Sequence, residues 1–258
     1  MTARIVVTGL GVVAPNGLGT NAHWKATLAT RSGVRRISRF DATQYPVRVA
    51  GEVPDFTPSE HVPGRLIPQT DRTTQFALAA AQWAIEDAGV DLADLGAYEA
   101  GVITAAGCGG FEFGQRELQR LWSEGPQRVS AYQSFAWFYA VNTGQLSIRH
   151  DARGAGSVVV TEQAGGLDAL ASARRRLRNG DLAVALGGGL DAPLSPWGAD
   201  RADPGRTAQH PAGSAARIPP LRLRCRGLRT GRGRSHPGPG GTRGRLPARR
   251  AGRVRRDR

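Results

Sequence analysis

Residues 157–170 read SVVVTEQAGGLDAL, and their character changes from strand-like to helical within a few positions. Ser157–Val160 is mostly β-branched and apolar and follows the breaker group Gly154-Ala155-Gly156, which predicts a short buried strand. The pair Gly165-Gly166 permits a sharp turn after that strand. Beyond the turn, apolar spacing predicts a helix that ends at Gly180 and whose shared face consists of Leu167, Leu170, Ala173 and Leu177.

A strand, a tight turn and a helix present one side chain at the helix N-terminus, and here that side chain is Gln163. This position suits a nucleophile, because the helix dipole lowers the pKa of a thiol and free N–H groups hold an oxyanion. An amide does not act as a nucleophile, so the pattern is that of a nucleophile elbow whose nucleophile has been replaced. From spacing alone, an ordinary strand-to-helix junction with a polar residue at its turn is the alternative.

Residues 159–169 (VVTEQAGGLDA) resemble the elbow of the ketosynthase chain-length factors of type II polyketide synthases. In that family the condensing subunit carries a cysteine at the elbow, and the chain-length factor carries a glutamine. Similar segments occur at residues 6–17, 63–71, 134–145 and 195–198, and the resemblance runs from residue 3 to residue 198. It implies an α/β chain that forms the N-terminal half of a thiolase-like beta-ketoacyl synthase fold.

The resemblance also implies a function and partners. A chain-length factor is the non-condensing partner of the condensing ketosynthase subunit, in a heterodimer that makes aromatic, antibiotic-type polyketides. Its substrates are carried on the phosphopantetheine arm of an acyl carrier protein, and it needs no cofactor of its own. Without the cysteine of the acyltransferases in this family, its chemistry is at most decarboxylation of a malonyl group, assisted by a hydrogen bond from Gln163. A purely structural Gln163, in a protein that serves only as a dimerisation scaffold, is the alternative.

A glycine on an apolar helix face marks a second candidate site. Residues 111–122 are predicted to form a helix on which Phe111, Gly114 and Leu118, at positions i, i+3 and i+7, share one stripe. The glycine costs about 1 kcal/mol of helix propensity, so it must provide space for a neighbouring backbone or a ligand. Periodicity alone favours packing against another helix. In chain-length factors the matching positions gate the polyketide tunnel, so the resemblance implies that these three residues form a substrate gate.

Strands and helices alternate along the rest of the first 200 residues. Arg4–Gly9 is predicted to be a fully buried strand, and Ala100–Thr104 and Leu182–Leu186 are predicted to be two more. Asp71 is a suitable N-cap for a long helix that runs to Asp87. Strands that alternate with helices in this way predict a parallel sheet.

Aromatic side chains crowd the segment 134–141, at positions 135, 137, 138 and 139. If exposed, such a run marks a partner site, and if buried it belongs to the core. The resemblance favours a partner site, because this region flanks the elbow at the subunit interface of condensing enzymes.

Charge is distributed unevenly along the 258 residues, whose formal net charge is +14. Residues 201–258 contain 17 arginines against Asp203 and Asp257, which leaves the first 200 residues close to neutral. Cys108 and Cys225 provide neither a disulfide framework nor a metal-ligand spacing. No apolar run approaches membrane-spanning length and no signal peptide precedes the first strand, so we expect no membrane association and a cytoplasmic location.

The composition changes after Trp197, where aromatic residues disappear and arginine, glycine and proline dominate. Such a segment cannot bury enough apolar surface to offset its ordering entropy, so residues 199–258 are predicted to be disordered. A nucleic-acid-binding arm is one interpretation of the arginines. The favoured interpretation is a shifted reading frame, because a one-nucleotide shift of the codons for residues 227–238 permits a string that resembles the family. We therefore expect residues 1–198 to be an incomplete domain with an out-of-frame tail, and the chain alone to be inactive.

Overall fold

The computed structural model describes residues 4–161 and 163–201, apart from the side chains of residues 200 and 201. The helices are α1 (Thr20–Leu28), α2 (Pro58–His61), α3 (Arg72–Ala88), α4 (Phe111–Glu124), α5 (Gln133–Ala136), α6 (Val141–Arg149), α7 (Gly165–Asn179) and α8 (Pro196–Arg201). The strands are β1 (Val13–Ala14), β2 (Gly17–Leu18), β3 (Val34–Arg36), β4 (Val49–Gly51), β5 (Ala100–Ala105), β6 (Ser157–Val159) and β7 (Val184–Gly189). Short 3-10 helices occur at Gly64–Gln69, Leu92–Asp94 and Pro126–Arg128.

Three of the strands form a parallel sheet in the order β6-β5-β7. The central strand β5 is buried along its whole length, as its apolar run predicts. In register, Ile103 lies beside Ser157 on one side and beside Gly187 on the other. Two antiparallel pairs, β1 with β2 and β3 with β4, lie outside this sheet. The predicted parallel α/β arrangement is confirmed for β5, β6 and β7.

The edge strand β6 is less buried than its sequence predicts. Ser157–Val159 is half-buried, and Val160, which follows the strand, is exposed. In the described part of the chain β6 pairs with β5 on one side, and its apolar side chains are covered less completely than those of the central strand, which has a neighbour on both sides. The predicted strand exists, but the prediction that it is buried is wrong.

Helix α3 follows its predicted limits closely. A carboxylate oxygen of Asp71 accepts a hydrogen bond from the N–H of Thr73 at 2.8 Å and so caps the helix. Gly89 ends it in the left-handed region, with φ 61°, which glycine adopts without the penalty that a Cβ brings. The first half of α3 is buried, and Phe76 and Leu78 belong to the main hydrophobic core.

The outward side of α7 differs from the prediction. Leu167 and Leu170 are 72% and 45% exposed, whereas Ala169 and Ala173 are buried. The small residues face the sheet because they let the helix approach the glycine-rich strand β7, where a Cβ on Gly187 would lie 3.6 Å from the Cβ of Ala173. Leu170 still shares the face of Ala173, since its Cδ2 would lie 3.4 Å from a Cβ on Gly187, so the predicted apolar face is wrong for Leu167 alone among the described leucines of α7.

The segment Arg4–Gly9 is not a strand, contrary to its prediction. Val6 and Val7 are 67% and 70% exposed. β-branched composition alone does not make a strand, because a strand also needs a neighbour to exchange hydrogen bonds, and the described part of the segment pairs with none of β5, β6 and β7. The chain lies instead along α3, where the N–H of Leu10 donates to the carboxylate of Asp87 at 2.8 Å.

The described residues belong to one compact unit, Met1–His210. Helix α8 continues three residues past the predicted boundary at residue 198, and the rest of the predicted tail, residues 202–258, lies outside the described residues. None of the described helices is long and apolar enough to cross a membrane.

Candidate functional site

The elbow lies between the end of β6 at Val159 and the start of α7 at Gly165. Gln163 sits in this turn, two residues before the helix, and its side chain is exposed. The carbonyl of Ala164 accepts hydrogen bonds from the N–H groups of Leu167 and Asp168, at 2.9 and 3.1 Å, which closes the first turn. Gln163 is therefore presented at the positive end of a 15-residue helix.

Two glycines let the start of α7 lie directly against the sheet. A Cβ on Gly165 would lie 3.0 Å from the Cβ of Ala105, at the end of β5. A Cβ on Gly189, at the end of β7, would lie 3.0 Å from the Cα of Gly166 and 3.1 Å from its nitrogen. Backbone thus packs against backbone where the helix begins, and this contact fixes the height of the elbow above the sheet.

A side-chain hydrogen bond joins the residue that begins the elbow turn to the first turn of α7. The hydroxyl of Thr161 donates to a carboxylate oxygen of Asp168 at 3.1 Å, across the turn that contains Gln163. The acidic side chain also lies in the first turn of α7, where it interacts favourably with the helix dipole. This pair was not predicted from the sequence, where the available signal was a threonine and an aspartate seven residues apart across a predicted turn.

We expect Gly189→Ala to destabilise the fold by about 1–2 kcal/mol, because the new methyl group meets the backbone of α7, which cannot rotate away. Gly188→Ala is the matched control, since a Cβ there meets nothing within 4 Å. Neither glycine has a positive φ, so the control should gain about 0.4–1 kcal/mol from reduced unfolded-state entropy. Urea unfolding followed by tryptophan fluorescence distinguishes the two. Equal stabilities for the two variants would contradict the backbone contact.

The hydrogen-bonding groups at the elbow determine which chemistry it can support. The amide of Gln163 donates and accepts hydrogen bonds without carrying charge, and the first N–H groups of a helix have no partners inside it. Together they suit a carbonyl oxygen on which negative charge develops. Among the described residues, no group of three or more His, Cys, Asp or Glu side chains could hold a metal ion.

Helix α4, which carries the predicted gate, is held at its start by Asp71. While one carboxylate oxygen of Asp71 caps α3, the other accepts a hydrogen bond from the N–H of Phe113 at 2.9 Å. Burial raises the pKa of this carboxyl group, and the hydrogen bonds from Thr73 and Phe113 lower it in part. One buried side chain therefore joins the N-termini of two helices.

The structure brings two of the three predicted gate residues together around Trp197. The ring of Phe111 stacks on the indole of Trp197, with centroids 5.1 Å apart and planes at 15°. A Cβ on Gly114 would lie 3.4 Å from Trp197 Cζ3 and 3.4 Å from the Cβ of Trp137. Leu118 lies one helical turn further along the same stripe and is 37% exposed. Gly114 thus provides room for the side chains of two tryptophans.

Trp197 was not recognised from sequence as part of the gate. It belongs to α8 and lies 82 positions after Gln115 of α4, whose side-chain oxygen accepts a hydrogen bond from the backbone N–H of Trp197 at 2.8 Å. Residues 195–198 stood out as similar to the family, but their place beside Gly114 depends on tertiary structure. A single tryptophan in the last stretch before the composition changes was the available signal.

The aromatic run after α4 is largely exposed. Tyr132, Trp137, Phe138 and Tyr139, which we call the aromatic surface, each present part of their ring to solvent. Phe138 and Tyr139 contact each other with centroids 4.4 Å apart, and Trp137 lies 6.3 Å from Phe138. Exposed aromatic side chains in contact with one another are typical of a partner surface.

The loop between β5 and α4 is fastened to the end of β7. Asp191 accepts hydrogen bonds from the N–H groups of Gly107 and Cys108, at 2.9 and 2.8 Å. Burial raises the pKa of Asp191, and these two hydrogen bonds lower it in part.

Comparison with known proteins matches residues 2–217 to the family model described as the N-terminal domain of beta-ketoacyl synthase. The chain is 65% identical over 196 residues to the tetracenomycin polyketide synthase ketoacyl synthase beta subunit of Streptomyces glaucescens. That match covers 76% of the chain and 48% of the relative, so the chain spans about half the length of the curated relatives it matches.

Solved structures give the same fold. The ishigamide ketosynthase/chain length factor aligns with a TM-score of 0.63 at 31% identity, over 72% of this chain and 47% of that one. A type II polyketide synthase acyl-carrier protein in complex with its ketosynthase bound to the hexaketide aligns with a TM-score of 0.66 at 23% identity, over 76% of this chain and 52% of that one. The second match shows the fold alone. The predicted ketosynthase fold and the predicted likeness to ketosynthase beta subunits are confirmed.

Proposed function

The chain belongs to the beta-ketoacyl synthase family, and on this basis we propose that it is the N-terminal half of a chain-length factor from a type II polyketide synthase. The observation that carries this proposal is Gln163 at the tip of the elbow, where a condensing enzyme of this fold needs a nucleophile. The likeness to a ketoacyl synthase beta subunit supports it. The intact protein would act in the cytoplasm as the non-condensing partner of a ketosynthase in aromatic polyketide biosynthesis.

Decarboxylation of malonyl groups is the chemistry that Gln163 supports. When the bond between the carboxylate and the α-carbon breaks, carbon dioxide leaves and the electron pair moves towards the thioester oxygen. An enolate oxygen held by the Gln163 amide and by the first N–H groups of α7 is stabilised where its charge develops. No covalent adduct forms on Gln163, because an amide does not attack a thioester. The malonyl group would arrive on an acyl carrier protein.

The gate residues support a role in measuring chain length. Gly114 adds no side chain to the stripe between Phe111 and Leu118, and its space is bounded by Trp137 and Trp197. A growing polyketide that displaced these aromatic side chains would find room at Gly114. We therefore propose that the gate to the polyketide tunnel is wide and that the polyketide is among the longer products of such systems.

The aromatic surface supports binding to a condensing ketosynthase subunit. Its rings are exposed and lie next to α4 through Trp137, so a partner that covered them would also close one side of the gate. Burial of aromatic side chains is a common source of affinity in such interfaces.

The present chain would be inactive by itself. We propose that the reading frame changes near residue 198, so that residues 199–258 replace the second half of the fold. Sequencing the coding DNA around codon 198 tests this directly. The protein for the functional experiments below is therefore the frame-restored chain, produced together with its ketosynthase.

In that complex, Gln163→Ala is expected to slow release of carbon dioxide from malonyl-loaded acyl carrier protein by about tenfold or more, because one donor to the developing oxyanion is lost. Condensation that starts from a ketosynthase already loaded with an acetyl group should proceed at the normal rate, since it bypasses the decarboxylation that supplies the starter. Radiometric release of carbon dioxide and product yield measure the two steps.

Gln163→Asn, which keeps the amide but shortens its reach, is the companion variant, and gel filtration checks that each complex stays intact. Unchanged carbon dioxide release by Gln163→Ala would leave Gln163 with a structural role and the subunit as a dimerisation scaffold. An acyl group found covalently attached at Gln163 would overturn the proposal.

A further inference from the structure

A carboxylate lies buried between the gate helix α4 and the segment that follows it. Glu117 is 1% exposed, and both of its side-chain oxygens are engaged. One accepts a hydrogen bond from the backbone N–H of Ser130 at 2.8 Å. The other accepts a hydrogen bond from Arg120 at 2.9 Å and lies 3.5 Å from the Nε of Arg116. The chain itself buries this carboxylate, so the arrangement does not depend on what covers the remaining surface.

Ser130 begins the segment that leads to one side of the gate. Its carbonyl accepts a hydrogen bond from the N–H of Gln133, the first residue of α5, at 3.0 Å. The Nε2 of Gln133 lies 4.0 Å from the position of a Cβ on Gly114, and the Cβ of Trp137, the residue after α5, lies 3.4 Å from it. Gln133 and Trp137, which we call the gate wall, therefore provide two of the three nearest contacts to this space, and Trp197 provides the third.

The far end of α5 is fastened to the start of α4. The carbonyl of Trp137 accepts a hydrogen bond from the N–H of Gly110 at 3.0 Å. A Cβ on Gly109 would overlap the carbonyl oxygen of Trp137, and one on Gly110 would overlap that of Ala136, so backbone lies directly against backbone. The gate wall is thus held to α4 at two points, one before the first turn of the helix and one at Glu117.

We propose that Glu117 is a positioning residue that sets the width of the gate, because it holds Ser130 and through it the gate wall against Gly114. The inference rests on the chain-length function proposed above. One turn of α4 separates Glu117 from Gly114, so the two positions are neighbours on the helix surface. A buried carboxylate carries a desolvation cost that an apolar side chain of similar size would avoid, and the best-attested role of such a group is to fix one geometry.

Glu117→Ala, made in the frame-restored chain with its ketosynthase, removes the acceptor for Ser130. The gate wall should then take several positions, so the ratio of the main polyketide to products one two-carbon unit longer or shorter should fall at least about fivefold. Glu117→Gln keeps an oxygen that accepts from Ser130 and should restore most of the ratio, which mass spectrometry measures. Hydrogen exchange at the N–H of Gly110 should become at least about fivefold faster in Glu117→Ala, because its bond to Trp137 opens more often.

Thr104→Val is the control for lost stability, since it removes the 2.7 Å hydrogen bond between Thr104 of β5 and Thr143 of α6. It should leave the product ratio unchanged, because a less stable subunit lowers the amount of every product alike. An unchanged ratio for Glu117→Ala in an intact, active complex overturns the inference. So does a changed ratio that Glu117→Gln fails to restore, because the bond to Ser130 would then not be the cause.

The gate itself is tested separately by the double substitution Gly114→Thr, Leu118→Phe. If the double variant changes product length and Glu117→Ala does not, the gate stands and Glu117 has no part in setting it. If neither changes product length, the proposed role in measuring chain length fails together with this inference.

Discussion

A Gly114→Thr, Leu118→Phe double substitution is expected to shorten the polyketide made by the frame-restored chain and its ketosynthase. A single Cβ at position 114 would already be in van der Waals contact with Trp137 and Trp197, at 3.4 Å from each, so the further atoms of threonine add bulk where these two side chains pack. Phenylalanine at 118 extends the same obstruction by one helical turn. Filling a closely packed site typically costs about 1–3 kcal/mol.

The growing polyketide bears this free-energy penalty, because it must pass the gate during its last elongation steps. A penalty of about 1.4 kcal/mol changes the ratio of elongation to release tenfold, so products shorter by one or more two-carbon units should dominate. Mass spectrometry of the products from the two reconstituted complexes measures this. Gly144→Thr is the control, because Gly144 is also helical but faces open space. If the double variant in an intact, active complex makes the original product, the stripe is ordinary helix packing.

Asp71→Ala is expected to destabilise the fold by about 2–4 kcal/mol. Loss of an N-cap costs about 1 kcal/mol, and the buried N–H of Phe113 is left without its acceptor, which costs about 1–3 kcal/mol more. Because Asp71 holds α3 and α4 together, the start of the gate helix should loosen as well. Urea unfolding gives the free energy, and hydrogen exchange at Phe113 reports the local effect.

Asp91→Ala is the matched control for this prediction. Asp91 also caps a helix, by accepting from the N–H of Ala93 at 2.9 Å, but the site is exposed and no second helix depends on it. We expect a loss of at most about 1 kcal/mol there. Similar losses for Asp71→Ala and Asp91→Ala would show that the bond to Phe113 contributes little.

The features that sequence predicts well here are those that local chemistry decides. The cap at Asp71, the stop at Gly89 and the stop at Gly180 each depend on residues within one helical turn, and all three are present. The central strand β5 is long and apolar enough to be identified without knowing its neighbours. The turn around Gln163 lies where the sequence predicts it, although Gly165 and Gly166 are the first residues of α7 and serve to bring the helix close to the sheet.

The features that sequence misses depend on contacts between distant parts of the chain. Periodicity grouped Leu167 with Leu170 and Ala173, but only the latter two lie beside Gly187 of β7, and Leu167 is 72% exposed. Trp197 reaches Phe111 and Gly114 across more than 80 residues. Val6 and Val7 have strand-forming side chains, yet their segment lies along α3, where the next contact is the bond from Leu10 to Asp87 of that helix.

The order of strands in the sheet also has a consequence for synthesis on the ribosome. β5 leaves the exit tunnel first, but its partners β6 and β7 come from residues 157–159 and 184–189. At about 5–20 residues per second, the delay of roughly 80 residues before β7 is complete lasts about 4–16 s. During this time a mostly apolar strand, which is buried along its whole length in the fold, has both edges open. The nascent chain is therefore a client for chaperones that hold exposed strands, and slower translation of codons 106–189 should increase that dependence.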